Sequence, residues 1–209
     1  VEDNGTYYVF GTHRRCARST DLVHWERFEN NLTRDPASLL GGIWEAWPKQ
    51  PENPALEGNT WAPDVIWNDV MRKWCMYLSV NGHEFRSVIV LLTADRLDGD
   101  WPYVVYSGFN VDNVGRTDVP RVLGDEAAHG DLSRYASLKD TRINAIDAAP
   151  IRCDHGELWM SFGSWFGGIW MFKLDPKTGL RDYSTTYQTV KNQSDAYYGI
   201  KLGGGFGNS

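Results

Sequence analysis

Short runs of alternating hydrophobic and polar residues recur along the chain. Leu158, Met160 and Phe162 alternate with Trp159, Ser161 and Gly163, which is the two-residue period of a half-buried strand. Asn4-Gly5 is a hairpin signal, and the pattern predicts strands over Tyr7–Phe10 and Arg15–Ser19. Further strands are expected over 74–80 (W-C-M-Y-L-S-V), Ser87–Thr93 and Ile169–Leu174. Turns fall at Ser19–Trp25, 68–73, 94–101 and 175–179 (D-P-K-T-G). Residues 29–58 are rich in Asn, Pro and Gly and read as a long ordered loop, and 81–86 as a shorter one. Residues 107–141 are polar and irregular, with a short helix expected between Asp125 and Lys139.

Three segments repeat one another: N-G-T-Y-Y-V-F-G-T, R-K-W-C-M-Y-L-S-V and H-G-E-L-W-M-S-F-G-S. Each sets a polar turn before an aromatic-rich strand, and each is followed by another strand and a turn. Repeated antiparallel units of this kind predict an all-β fold, a β-propeller. The spacing exceeds the ~40–50 residues of the commonest propeller repeats, and the long loops supply the excess. About three units are visible, whereas a closed ring needs about four or more.

Ten Trp, ten Tyr and 21 Gly in 209 residues fit such a scaffold. Core packing accounts for most of these aromatics, and stacking faces for sugars for the remainder. The net charge of -6 argues against nucleic acid or an anionic membrane as partner. No apolar run approaches the ~20 residues of a membrane helix. The first residue is Val and no secretory apolar segment is visible, so a processed form or fragment is expected. Cys16, Cys75 and Cys153 are isolated from one another, which predicts free thiols and no zinc spacing. The five His are scattered, without a metal-binding spacing.

The run 142–151, R-I-N-A-I-D-A-A-P-I, holds one acid, Asp147, among small and apolar residues, and a polar break at Cys153–Glu157 follows it. A carboxylate there is either paired, or desolvated with a shifted pKa. Asp147 falls just before one expected strand, and Ser164 and Trp165 fall at the end of the next.

W-A-P-D-V (61–65), N-A-I-D-A-A-P (144–150), S-F-G-S-W-F-G-G-I (161–169) and L-D-P-K-T-G (174–179) together resemble glycoside hydrolase family 43, most closely its endo-α-1,5-L-arabinanases. S-T-D-L-V-H-W resembles the family's first-blade motif. The resemblance implies a five-bladed β-propeller that inverts the anomeric centre. Its base and acid carboxylates stand roughly 6.5–9.5 Å apart, so that a water fits between. Residues 1–209 would then be the N-terminal and central part of one catalytic domain, with the rest of the propeller as its partner.

Asp147 matches the family's third Asp, which tunes the acid and orients the substrate. Trp61, Phe85, Asn144, Ser164, Trp165 and Phe166 match substrate contacts: stacking faces from the aromatics, hydroxyl partners from Asn144 and Ser164. Turn capping or core packing is the competing reading for each. No residue matches the base or the acid. Asp3 reads as a solvated turn residue, Asp35-Pro36 as a turn, and an inactive 209-residue piece is expected. The resemblance implies a secreted or periplasmic enzyme acting on arabinan. It requires no cofactor for the chemistry and allows a structural Ca2+ near the axis, for which no ligand is named. The alternatives are an exo-acting α-L-arabinofuranosidase or β-xylosidase of the same family, and a non-catalytic glycan-binding propeller.

Overall fold

The computed structural model describes residues 1–40, 59–81, 87–106, 145–164, 168–182, 184–185, 187, 194–195 and 199–204. These form three mainly antiparallel sheets. The first runs in the order β1 (Glu2–Asp3), β2 (Thr6–Gly11), β3 (Arg15–Ser19), β4 (Glu26–Arg27). The second contains β5 (Asn59–Asn68), β6 (Lys73–Asn81), β7 (Ser87–Ala94) and β8 (Tyr103–Tyr106), again in chain order. The third contains β9 (Ala149–Arg152), β10 (Leu158–Ser164), β11 (Gly168–Leu174), β12 (Ser194–Asp195) and β13 (Gly199–Gly203), ordered β9-β10-β11-β13-β12.

The three repeated segments become β2, β6 and β10, the second strand of each sheet. Asn4 (φ 51°) and Gly5 (φ 79°) are both left-handed, the backbone of a tight two-residue hairpin. Gly156 (φ 82°) serves the turn before β10. The turn after β3 is built on side chains. Ser19 Oγ accepts from Leu22 N at 2.9 Å, and Asp21 Oδ1 accepts from Val23 N at 2.9 Å and His24 N at 2.8 Å. Asp21 Oδ2 meets His24 Nδ1 at 2.7 Å. The S-x-D-L-x-x-W motif is therefore a turn device here, which explains its residue types without a ligand.

Strands β6 and β7 of the second sheet are buried on both faces. Trp74, Met76, Leu78 and Val80 of β6 join Val88, Val90 and Leu92 of β7 in a core shared with Tyr8 of the first sheet and Trp101. The residues between them, Cys75, Tyr77, Ile89 and Leu91, pack with Leu158, Met160, Phe162, Trp170 and Phe172 of the third sheet. A near-continuous apolar run is what two covered faces demand. Tyr77 Oη donates to Gly179 O at 2.6 Å and ties the two sheets together inside that second core.

The structure departs from the expected elements in several places. The segment read as a loop from residue 29 holds a short helix, α1 (Asn31–Arg34). A reciprocal cap forms it: Thr33 N donates to Asn30 Oδ1 at 3.2 Å, and Asn30 N to Thr33 Oγ1 at 2.8 Å. Asn68 and Lys73 close strands instead of lying in the turn between them, and β8 had no counterpart in the pattern. The expected helix at 125–139 lies outside the described residues. Cys16, Cys75 and Cys153 are free, the first two buried.

Candidate active site

The segment 145–148 enters β9 with Ala145, Ile146 and Ala148 buried. Asp147 between them adopts a left-handed backbone, φ 54°. Asp is one of the few side chains that tolerate this region. Its buried neighbours face the core, whereas Asp147 itself is exposed. Enough protein still surrounds it that desolvation raises its pKa.

Two hydrogen bonds fix this segment against separate strands. Asp147 N donates to Ser79 Oγ at 2.9 Å, and Gly163 N donates to Ile146 O at 2.8 Å. Ser79 lies on β6, fully buried, directly opposite Trp61 of β5. Opposed residues of an antiparallel pair project to the same face. Trp61 and the Asp147 backbone thus meet at Ser79. Gly163 precedes Ser164, the last residue of β10, which pairs with Gly168. Gly163 has φ 125°, and a Cβ there would lie 2.2 Å from Gly168 O, so only glycine permits this approach. Asp147, Trp61 and Ser164 are gathered at one end of the second and third sheets.

A bulge in β5 shapes the Trp61 side. The register shifts between Trp61 and Asp64, and Ala62 is left-handed at φ 41°. Pro63 has no N–H for the ladder and sits inside the bulge, where none is needed. Ala62 N reaches Thr12 Oγ1 at 3.4 Å, linking the bulge to the first sheet. Asp64 closes the bulge, and its Oδ1 accepts from Val65 N at 2.8 Å. Desolvation raises its pKa, and the Val65 hydrogen bond opposes the rise.

No family model matches the chain. The extracellular endo-α-(1→5)-L-arabinanase of Thermotoga petrophila is 34% identical over 185 residues, 86% of this chain and 36% of the relative. Extracellular endo-α-(1→5)-L-arabinanase 2 of Bacillus subtilis is 30% identical over 179 residues, 86% of this chain and 34% of the relative. Among solved structures, the family 43 glycoside hydrolase YxiA of Bacillus licheniformis superposes with a TM-score of 0.63 at 26% identity, covering 98% of this chain and 40% of that one. Over most of its length the chain is similar to endo-α-1,5-L-arabinanases and to a family 43 glycoside hydrolase. It spans about a third of the length of the curated relatives it matches.

Of the family 43 contacts expected from the sequence, the structure brings together Asp147, Trp61 and Ser164. Phe85, Asn144, Trp165 and Phe166 lie outside the described residues. Among the described residues no three His, Cys, Asp or Glu side chains gather as a cation cage. Sequence reading missed Ser79 and Asp64. A lone hydroxyl in the otherwise apolar run W-C-M-Y-L-S-V was the available signal for Ser79. Asp64 lies in the W-A-P-D-V motif, and its role comes from the bulge that it closes onto Val65 N.

Proposed function

We propose that the chain forms the N-terminal and central part of a five-bladed β-propeller domain that hydrolyses α-1,5-L-arabinofuranosyl bonds of arabinan with inversion, outside the cell. The observation that carries this reading is the convergence of Asp147 and Trp61 on Ser79, with Ser164 held beside them through Gly163. Trp61 offers a furanose ring a flat apolar face, and Ser164 offers a hydroxyl to its polar edge. A partly desolvated carboxylate such as Asp147 raises the pKa of a neighbouring acid by like-charge repulsion, keeping that acid protonated near neutral pH. Phe85, Asn144, Trp165 and Phe166 complete the substrate contacts in this reading. No residue of the chain matches the family's base or acid.

The test is digestion of linear arabinan by the full protein, with products separated by chain length. A ladder of oligosaccharides is the expected result. Monosaccharide alone would replace endo with exo action, and no sugar release would overturn the reading.

A further inference from the structure

A second concavity lies apart from the site at Asp147. The connection between β2 and β3 turns through two successive left-handed residues, His13 (φ 60°) and Arg14 (φ 65°). With Arg15, Cys16, Arg27, Phe28, Glu29 and Thr33 they line a cleft of about 260 Å³. Three arginines and one histidine face a single glutamate there, in a chain of net charge -6.

Two of the exposed arginines without a carboxylate partner among the described residues lie in this cleft, and Arg72 lies outside it. Arg18, Arg34, Arg96 and Arg152 each have a carboxylate partner. Arg15 and Arg27 have none among the described residues, although both are exposed and acids are more numerous than bases in the chain. Two guanidinium groups on one concave surface form a receptor for a planar anion, because each presents a fork of N–H donors matched to two carboxylate oxygens. Phe28 supplies an apolar wall to the same cleft.

The position indicates what the anion belongs to. Thr12, the residue before His13, holds Ala62 N through its hydroxyl, and Ala62 follows Trp61. The residue that leads into the cleft's His13 is thus bonded to the bulge that follows the proposed stacking face. We propose that the cleft binds a carboxylate-bearing sugar, a uronate unit of an acidic glycan. The inference rests on the glycan-binding reading of the neighbouring site, and it adds an anionic specificity that the neutral furanose contacts do not supply.

The test is titration of the full protein with D-galacturonate, followed by NMR shifts of arginine side chains, with L-arabinose and inorganic phosphate in parallel. Galacturonate is expected to bind more weakly as salt is raised. Arg15→Ala and Arg27→Ala are each expected to weaken it about tenfold or more, the loss of one charge-assisted contact. Both side chains are exposed, so a melting curve matching the wild type confirms that each variant folds. Absence of galacturonate binding, binding that neither substitution weakens, or phosphate binding as tightly as galacturonate would each overturn the inference. Hydrolysis of neutral arabinan by the same variants should stay within twofold of wild type. If wild-type protein leaves arabinan intact yet binds galacturonate through these arginines, the reading of the Asp147 site fails and the cleft assignment stands.

Discussion

Replacing Ser79 with alanine removes a single oxygen atom from the interior, and its consequences can be worked from two contacts. The hydroxyl accepts from Asp147 N at 2.9 Å, and Ser79 itself is fully buried opposite Trp61. Without it, the Asp147 amide loses its partner at a half-covered position. An orphaned buried donor costs about 1–3 kcal/mol, and partial access of water puts this case near 1–2 kcal/mol. For a domain of this size each kcal/mol lowers Tm by roughly 2–4 °C, so the expected fall is about 2–8 °C. The backbone at Asp147 is left-handed, a conformation disfavoured by about 1–2 kcal/mol for ordinary L-residues, and the Ser79 bond helps to hold it. Loss of the anchor should therefore reduce kcat on linear arabinan as well as Tm. A double-mutant cycle separates the two effects. Ser79→Ala should reduce activity in the wild type and add little in an Asp147→Asn background, because it acts through that residue. Unchanged Tm together with unchanged kcat for Ser79→Ala would refute the reasoning.

Gly163→Ala should cost more than about 3 kcal/mol and abolish soluble yield, since the added Cβ would lie 2.2 Å from Gly168 O; expression and circular dichroism check this. Tyr77→Phe should lower stability by about 1–2 kcal/mol in urea melts by stranding Gly179 O, with arabinan hydrolysis intact, because the bond lies inside the second core. The raised pKa of Asp147 means that the folded protein keeps this proton to higher pH than the unfolded chain does. Its contribution to stability thus falls as pH rises from the unfolded value of about 3.9 through the folded one. Melting curves across that window should flatten in Asp147→Asn. Burial pushes the Cys16 thiol up to about 11 and the Cys75 thiol up to about 12. Iodoacetamide at neutral pH should therefore label the half-exposed Cys153 first, as mass spectrometry of tryptic peptides would show.

The strands were legible where one physical constraint governed them. Two strands covered on both faces need apolar residues on each, so 74–80 and 87–93 read directly as strands. The hairpin at Asn4-Gly5 needs two left-handed residues, and its sequence announces that. The helix at Asn31–Arg34 was not legible, because its stability comes from a local cap within an Asn- and Pro-rich segment that otherwise lacks helical periodicity. The bulge in β5 was hidden for the opposite reason. W-A-P-D breaks the two-residue alternation, and Pro63 weakens any strand assignment unless the pairing register is known. Asp147 stood out as the one acid in an apolar run, but no alternation pattern encodes its positive φ. Its partner Ser79 lies 68 residues away in the chain, beyond the reach of local patterning.

The most direct test of the central claim is the turnover of linear arabinan by full-length protein carrying Asp147→Asn. The amide keeps the side chain's size and its tolerance of a left-handed backbone, and removes only the charge. A kcat reduced by about 100-fold or more, with Tm at neutral pH no lower than wild type, is the predicted result. A kcat within a few-fold of wild type would contradict the assignment of Asp147 to the active site.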